Sequence, residues 1–326
     1  MSQHAAMVGA SVAGGIEKMP RHVKRRKKSK RNLIIPWILQ VGAMIGIAVL
    51  LYPTAADWFA TRAHNAEISG YKQEIEQIPA QDLLKKRELA KEYNANIPAG
   101  LLQDPFSHTA AYESAKAESE YQNYRELLQV GGKESIGELV YSAVGISLPI
   151  FSGTDDEVLQ KGVGHVYGSS LPVGGQSTHA VLTSHSGLVD ASLFTKLFDA
   201  KTGDTFKVSV LGEELYYQVK SIETVLPAET ESLKVVEGED WLTLITCTPI
   251  GVNSHRLLVH AQRVDAPQVE FNNVIAGDGI VAGFPWWALV FCAGSGVAAF
   301  LIFAKSPHKA QGGRHRSQKL TKKVEL

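Results

Sequence analysis

Two stretches of this chain are apolar without interruption, and the text between them changes period twice. Residues 33–52 (LIIPWILQVGAMIGIAVLLY) and 284–304 (FPWWALVFCAGSGVAAFLIFA) contain no charge. Each has about 20 residues, the length at which a helix crosses ~30 Å of hydrocarbon, so both are predicted transmembrane helices. Trp37, Tyr52, Trp286 and Trp287 stand near the ends of the runs, where amphipathic rings favour the membrane–water interface. The small residues Thr54-Ala55-Ala56 offer a competing reading of the first run as a cleaved signal peptide. A signal's apolar region is typically ~7–15 residues, so an uncleaved anchor is the better reading.

After the first run the composition is helix-forming over 57–77 and 83–94, with breaks near Pro79 and Pro98. Ile68, Tyr71, Ile75 and Ile78 recur at three- and four-residue spacing, an amphipathic stripe. Residues 98–106 (PAGLLQDPF) form a loop punctuated by prolines and a glycine, and 107–128 returns to helical character. From about residue 136, short β-branched runs alternate with Gly, Pro, Asn and Asp. Strands are expected at 137–143, 146–150, 179–184, 205–211, 214–225, 241–247 and 256–264, with one helical turn at 191–198. Such strands without long helices between them predict a mainly β domain, an antiparallel sandwich or barrel. The expected organisation is a basic tail 1–32, a span 33–52, a helical extension 53–134 containing the loop 98–107, and a β domain 135–265. A linker 266–283, a span 284–304 and a basic tail 305–326 follow.

Charge sharpens this layout. The formal net charge of zero conceals nine Lys or Arg against Glu17 alone in 1–32, and seven against Glu325 alone in 305–326. Of 33 basic and 33 acidic residues, that leaves 17 and 31 for the segment between, a net of −14. The positive-inside rule then places both termini in the cytoplasm and the acidic middle outside. The run 24–31 (KRRKKSKR) could suggest nucleic-acid binding. Beside a span it is better explained as topogenic charge facing membrane lipid, and no nucleic-acid role is expected.

The chain has two cysteines, Cys292 inside the second span and Cys247 in the β domain. An unpaired thiol in an extracytoplasmic domain is unusual, and it isolates Cys247. Cys247 ends the strand 241–247, the segment 248–253 reverses the chain, and Arg256 returns opposite it. His185 ends another strand and precedes a Ser-Gly turn. A thiolate attacks a carbonyl, and a nearby imidazolium or guanidinium favours that anion. Histidine can serve as acid and then as base. Arginine's fixed fork suits a substrate carbonyl or a developing oxyanion. A buried, inert cysteine is the bland alternative when these residues are taken alone.

Three motifs in order decide between them. Thr243-Leu244-Ile245-Thr246-Cys247 is similar to the Thr-Leu-any-Thr-Cys signature of sortases, with Arg256 at the family's arginine position. Upstream, Gly162 to His165 and Ser170 to Gly175 lead to Val181-Leu182-Thr183-Ser184-His185, which resembles the segment bearing the sortase histidine. The resemblance covers about 136–265 and implies an eight-stranded β-barrel with Cys247, His185 and Arg256 as catalytic residues. It also implies Thr183 and Thr246 as substrate contacts. The helical extension, the second span and Asp104-Pro105-Phe106 resemble the pilus-assembling class C group, in which that tripeptide is a lid. Ser186 departs from that group, where Arg often follows the histidine.

The function so implied is transpeptidation of Leu-Pro-any-Thr-Gly-like sorting signals on pilin or surface-protein precursors, through a thioester, with a pilin lysine amine as acceptor. A housekeeping sortase delivering to cell-wall amines, a simple cysteine protease, and a noncatalytic membrane scaffold remain as alternatives. No cofactor or metal is expected. Asp155-Asp156-Glu157 reads as a solvated turn, His165 and His179 as residues at strand or loop edges, and His255 as facing away from the site.

Overall fold

A computed structural model describes residues 31–97, 102–107, 113–114, 116, 118–266 and 282–304. Both basic tails apart from Arg31 and Asn32, the opening of the loop at 98–101 and most of the linker lie outside the described residues. Eight strands form a closed barrel: β1 (Ser135–Tyr141), β2 (Ile146–Ser152), β3 (Val163–His165), β4 (Thr178–Thr183), β5 (Thr205–Val210), β6 (Glu213–Val225), β7 (Asp240–Thr248) and β8 (His255–Val264). Their order around the barrel is β1-β2-β3-β4-β7-β8-β6-β5. The sheet is not wholly antiparallel as expected, because β2 pairs β3 and β4 pairs β7 in parallel. Parallel neighbours need a crossover, and the β4–β7 crossover is supplied by the β5–β6 hairpin. The additional strand, β3, is three residues long and Gly-rich.

Side chains alternate between two environments with the period of two that a strand imposes. Ala180, Leu182, Leu242, Leu244, Leu257, Val259 and Ala261 point into the main core. Their neighbours Val181, Ile245 and Leu258 lie on the opposite face, in a second apolar cluster with Val166 and Leu233. The outer face of β4, β7 and β8 is therefore a partly apolar cleft rather than a solvated surface.

Helix α1 (Arg31–Gln77) runs unbroken through the first apolar run and the amphipathic stripe. The expected separation between span and extension is absent, even though Pro53 lies inside the helix. Its stripe docks on the barrel, with Ile68 and Tyr71 buried. The Tyr71 hydroxyl donates to the Ile136 carbonyl at 2.8 Å and accepts the Leu211 N–H at 2.9 Å. Helix α2 (Ala80–Ala95) is pinned by Asn94, whose amide exchanges bonds with the Leu171 backbone at 2.7 and 3.1 Å. Helix α3 (Ser119–Leu127) buries Tyr121 and Tyr124. The short helix α4 (Asp156–Lys161) begins at the acidic triplet that reads as a turn in the sequence. Asp155 pairs with Lys116, and Glu157 with Lys161.

Helix α5 (Trp286–Phe303) lies antiparallel to the first half of α1. Trp37 meets Phe303, Gln40 Nε2 donates to the Ser295 carbonyl at 3.1 Å, and Trp58 Nε1 donates to the Gly283 carbonyl at 2.7 Å. Both helices are long and apolar enough to cross a membrane, and most of their large apolar side chains are exposed. That combination is consistent with membrane anchoring.

Candidate active site

The β7–β8 hairpin brings Cys247 and Arg256 into direct cross-strand register. In the parallel β4–β7 pair Thr183 is opposite Ile245, so continuing both chains by two residues sets His185 beside Cys247. The seam is tied by hydroxyls: Thr183 Oγ1 donates to the Ile245 carbonyl at 3.1 Å and Thr246 Oγ1 to the Ser184 carbonyl at 2.9 Å. Both threonines are fully buried. Alternation turns Thr246 away from the face that bears Cys247. Thr183 lies on the cleft face with its hydroxyl committed to the backbone. In this arrangement both hydroxyls tie the two strand ends together.

Ser186, the departure from the class C pattern, contributes a further tie: its Oγ donates to the Cys247 carbonyl at 2.8 Å. It joins the loop after the histidine to the end of the cysteine strand. An arginine could not make this short contact in the same place. The His185 carbonyl accepts the Phe194 N–H at 2.9 Å, at the 3₁₀ turn Leu193–Asp199.

Over this mouth lies Asp104-Pro105-Phe106. Asp104 takes the Arg256 fork in two bonds, Nε to Oδ1 at 2.6 Å and Nη2 to Oδ2 at 2.8 Å. Side-chain exposure is 10% for Arg256 and 5% for Asp104, so the pair is shielded from water. Arg256 Nη1 donates to the Asn253 carbonyl at 2.9 Å and the His255 carbonyl at 3.1 Å. Ser107 Oγ donates to Asp104 at 2.6 Å and holds the carboxylate in place. The Phe106 ring is 5.7 Å from the His185 ring and 5.1 Å from the Arg256 guanidinium carbon. Phe106 and Leu102 pack on the second apolar cluster. The tripeptide thus occupies the guanidinium and roofs the cleft.

Electrostatics follow from that cover. Burial pushes the Cys247 thiol above its usual value; Arg256 pulls it down and Asp104 pushes it up again. Burial pushes His185 below the ordinary imidazole value, with Asp156 opposing weakly. Covered in this way, the site disfavours both the thiolate and the imidazolium.

Two further histidines lie deeper than the sequence suggests. His165 and His179 stand at strand ends as expected, but both are buried. His165 Nδ1 faces the Tyr124 hydroxyl at 2.8 Å and Nε2 faces the Ser170 carbonyl at 2.8 Å. His179 Nδ1 faces the Lys234 carbonyl at 3.0 Å and Nε2 the Thr243 hydroxyl at 2.7 Å. Thr243 Oγ1 is 2.8 Å from His260 Nδ1, and His260 Nε2 is 3.0 Å from Glu223. His255, half-buried at the edge, has its Nδ1 2.8 Å from Ser254 Oγ.

The sortase domain family matches residues 139–264. Sortase A of Streptococcus agalactiae serotype III is 32% identical over 130 residues, 39% of this chain and 52% of that protein. The chain thus spans about half the length of that curated relative. Among solved structures, sortase C of Streptococcus pneumoniae, described for its catalysis and pilin substrate specificity, is 40% identical with a TM-score of 0.55. The match covers 62% of this chain and 100% of that one. Sortase C-1 from Actinomyces oris is 44% identical with a TM-score of 0.52, over 56% of this chain. It is matched across 99% of its own length, which leaves one assignment for the barrel: the chain belongs to the sortase family.

Proposed function

We propose that this protein is a membrane-anchored class C sortase that joins pilin subunits covalently. The observation that carries this reading is the convergence of Cys247, His185 and Arg256 at one barrel mouth beneath Asp104-Pro105-Phe106. The similarity to sortases described as pilin-related supports the choice of substrate.

In this proposal residues 135–265 are the catalytic domain and the loop within 98–107 is its lid. The apolar face of Val181, Ile245 and Leu258, now covered by Leu102 and Phe106, receives the apolar part of a Leu-Pro-any-Thr-Gly-like signal. Lid opening removes the carboxylate that raises the Cys247 thiol, exposes the cleft to water and frees the Arg256 fork. All three changes favour the thiolate. The thiol proton passes to His185, and the Cys247 sulfur attacks the threonine carbonyl while Arg256 holds the developing oxyanion. His185 protonates the departing glycine nitrogen as the Thr–Gly bond breaks, leaving a thioester. A pilin lysine amine then attacks the thioester and gives its proton to His185. An amide forms and the thiol is regenerated. The acceptor distinguishes this reading from cell-wall anchoring. The charge asymmetry and the antiparallel pair α1/α5 support a topology with both tails in the cytoplasm and the barrel outside.

The test uses the full chain in detergent with a sorting-signal peptide and an acceptor pilin. Mass spectrometry should find the peptide's acyl fragment on Cys247 and then on a pilin lysine. Substantial joining by a Cys247→Ala variant would refute the mechanism. Acyl transfer to cell-wall amines in preference to lysine would move the protein to the anchoring reading.

A further inference from the structure

The height of each strand end above the apolar helices follows from where α1 touches the barrel. Asp57 lies five residues beyond Tyr52, ~7.5 Å at 1.5 Å per residue. That is headgroup depth, since ~30 Å of hydrocarbon sits within ~40–45 Å of bilayer. The neighbouring Trp58 packs against Trp287 with ring centroids 6.2 Å apart, and a cleft of about 440 Å³ here is lined by Leu51, Trp58, Phe284 and Trp286. At this level Asp57 Oδ1 accepts the Ser192 N–H at 2.7 Å, and Asp57 and Thr61 share a cleft with Gly145 and Ile146. Tyr71, 14 residues further along α1, meets Ile136 and Leu211.

These contacts give every strand a direction. β1 descends from Ile136 toward the apolar helices, and β2 climbs away from Ile146. β3 is parallel to β2 and climbs, β4 is antiparallel to β3 and descends, and β7 is parallel to β4 and descends. Cys247 and His185 end descending strands, and Arg256 opens a climbing one. The mouth of the barrel therefore faces the membrane.

The rim of that mouth is apolar. On the loop between His185 and Ser192, Leu188 is 37% exposed and Val189 62%; on the β7–β8 connection, Ile250 is 48% exposed and Val252 69%. The two loops touch closely: Gly187 has φ +75, and a Cβ there would stand 2.3 Å from Ile250 Cγ2. Val189 is three residues from Ser192, a reach of at most ~11 Å. Exposed aliphatic side chains gathered on touching loops mark an interaction surface. Continuity with α1 and its ring of tryptophans identifies the surface they meet.

We infer that Leu188, Val189, Ile250 and Val252 form a lipid-contacting rim, on which the active-site mouth rests against the leaflet beside α1. A peptide joined to a membrane-embedded segment enters the cleft along the bilayer surface, and a soluble peptide must pass beneath the rim. This inference rests on reading α1 and α5 as spans.

Depth measurement separates the two. The full chain carrying Cys247→Ala and Cys292→Ala receives one environment-sensitive fluorophore at Val189→Cys, Val252→Cys, Leu50→Cys or Val235→Cys. Each is reconstituted in phosphatidylcholine–phosphatidylglycerol vesicles with and without lipids carrying a nitroxide near the headgroup. Labels at 189 and 252 should lose half or more of their emission to the nitroxide lipid. The label at Val235, an exposed residue on the β6–β7 connection at the opposite end of the barrel, should be unaffected. If 189 and 252 behave like 235 while Leu50 is quenched, the rim is overturned and the spans stand. If Leu50 is not quenched either, the span reading and the rim both fall. With native Cys247, Val189→Ser with Val252→Ser should slow turnover of a vesicle-anchored signal peptide several-fold and should not slow a soluble one. Equal effects on both peptides would also overturn the rim.

Discussion

His179 and His185 stand at opposite ends of one strand, and the structure treats them differently. At the distant end His179 has both ring nitrogens engaged, by the Lys234 carbonyl and the Thr243 hydroxyl, under the β6–β7 connection. Burial pushes it down to about 4, with the Lys234 hydrogen bond opposing and His260 adding to the fall. At the mouth His185 is half-buried and leans on Phe106, a residue of a short segment anchored through Asp104. A histidine with both nitrogens bonded is fixed in tautomer and charge, and it holds strands together. A histidine covered by a separable segment keeps its proton available. What covers each ring, not the residue type or the strand, decides its use.

The comparison can be broken at the mouth first. Cys247→Ala should abolish cleavage and joining of a sorting-signal peptide, and His185→Ala should reduce both by at least ~100-fold, the usual size of lost acid–base catalysis. His179→Ala, assayed at a temperature where it remains folded, should keep most of the turnover. Equal losses at the two histidines would erase the distinction. Arg256→Lys preserves charge but not the fork, and a loss on the order of 100-fold is expected, comparable to removing an oxyanion donor. Near-normal turnover with Lys would reduce Arg256 to a general positive charge.

The cover itself is sharpened by Asp104→Ala with Phe106→Ala. Thiol labelling of Cys247 should accelerate by about fivefold or more, what ~1 kcal/mol of released closure gives. Circular dichroism should show the barrel folded. Unchanged labelling would make the segment a connector. At the far end, Thr243→Val leaves His179 and His260 without their shared hydroxyl. Thermal unfolding should shift down, reflecting ~1–3 kcal/mol for buried groups left unpaired, with Cys247 labelling unaltered.

The last effect concerns pH. His165 and His179 both sit at about 4, burial being the main cause, while an unfolded histidine titrates near 6.5. Below 6.5 the unfolded chain takes up protons that the folded chain refuses, so stability should fall as pH drops from about 6.5 toward 4. Chemical denaturation across that window measures it. His179→Gln should flatten part of the slope, and an unchanged slope would assign it to other groups.

Much of this contrast was legible before any coordinates. The chain reversal over 248–253 between two strand-like runs placed Cys247 opposite Arg256, and the hairpin has that register. The motifs around His185 and Asp104 were legible through resemblance; their composition alone is that of a turn and a proline loop. β3 was missed because Val163–His165 is too short and Gly-rich to show a period. The depth of His165 and His179 was missed because it depends on Tyr124 and Lys234, which are 41 and 55 residues away. Ser186 reads in the sequence only as a departure from the class C pattern, and its bond to the Cys247 carbonyl depends on the folded site. The continuity of α1 was hidden by Pro53, whose missing N–H a long helix with packed neighbours tolerates.

On the proposed reading of the segment as a lid, the Asp104–Arg256 contact also makes it a competitor permanently attached to its target. A tethered group faces its site at an effective concentration in the millimolar range, whatever the protein's own concentration. The substrate's apparent dissociation constant is then its intrinsic value divided by the fraction of molecules with the fork free, so a weak or dilute peptide is refused without any clash in the cleft. Only a signal presented at comparable local density can win Arg256. For a signal confined to two dimensions beside α1, as the proposed leaflet contact has it, that density would be supplied, and selection among signals would become as much a matter of delivery as of sequence.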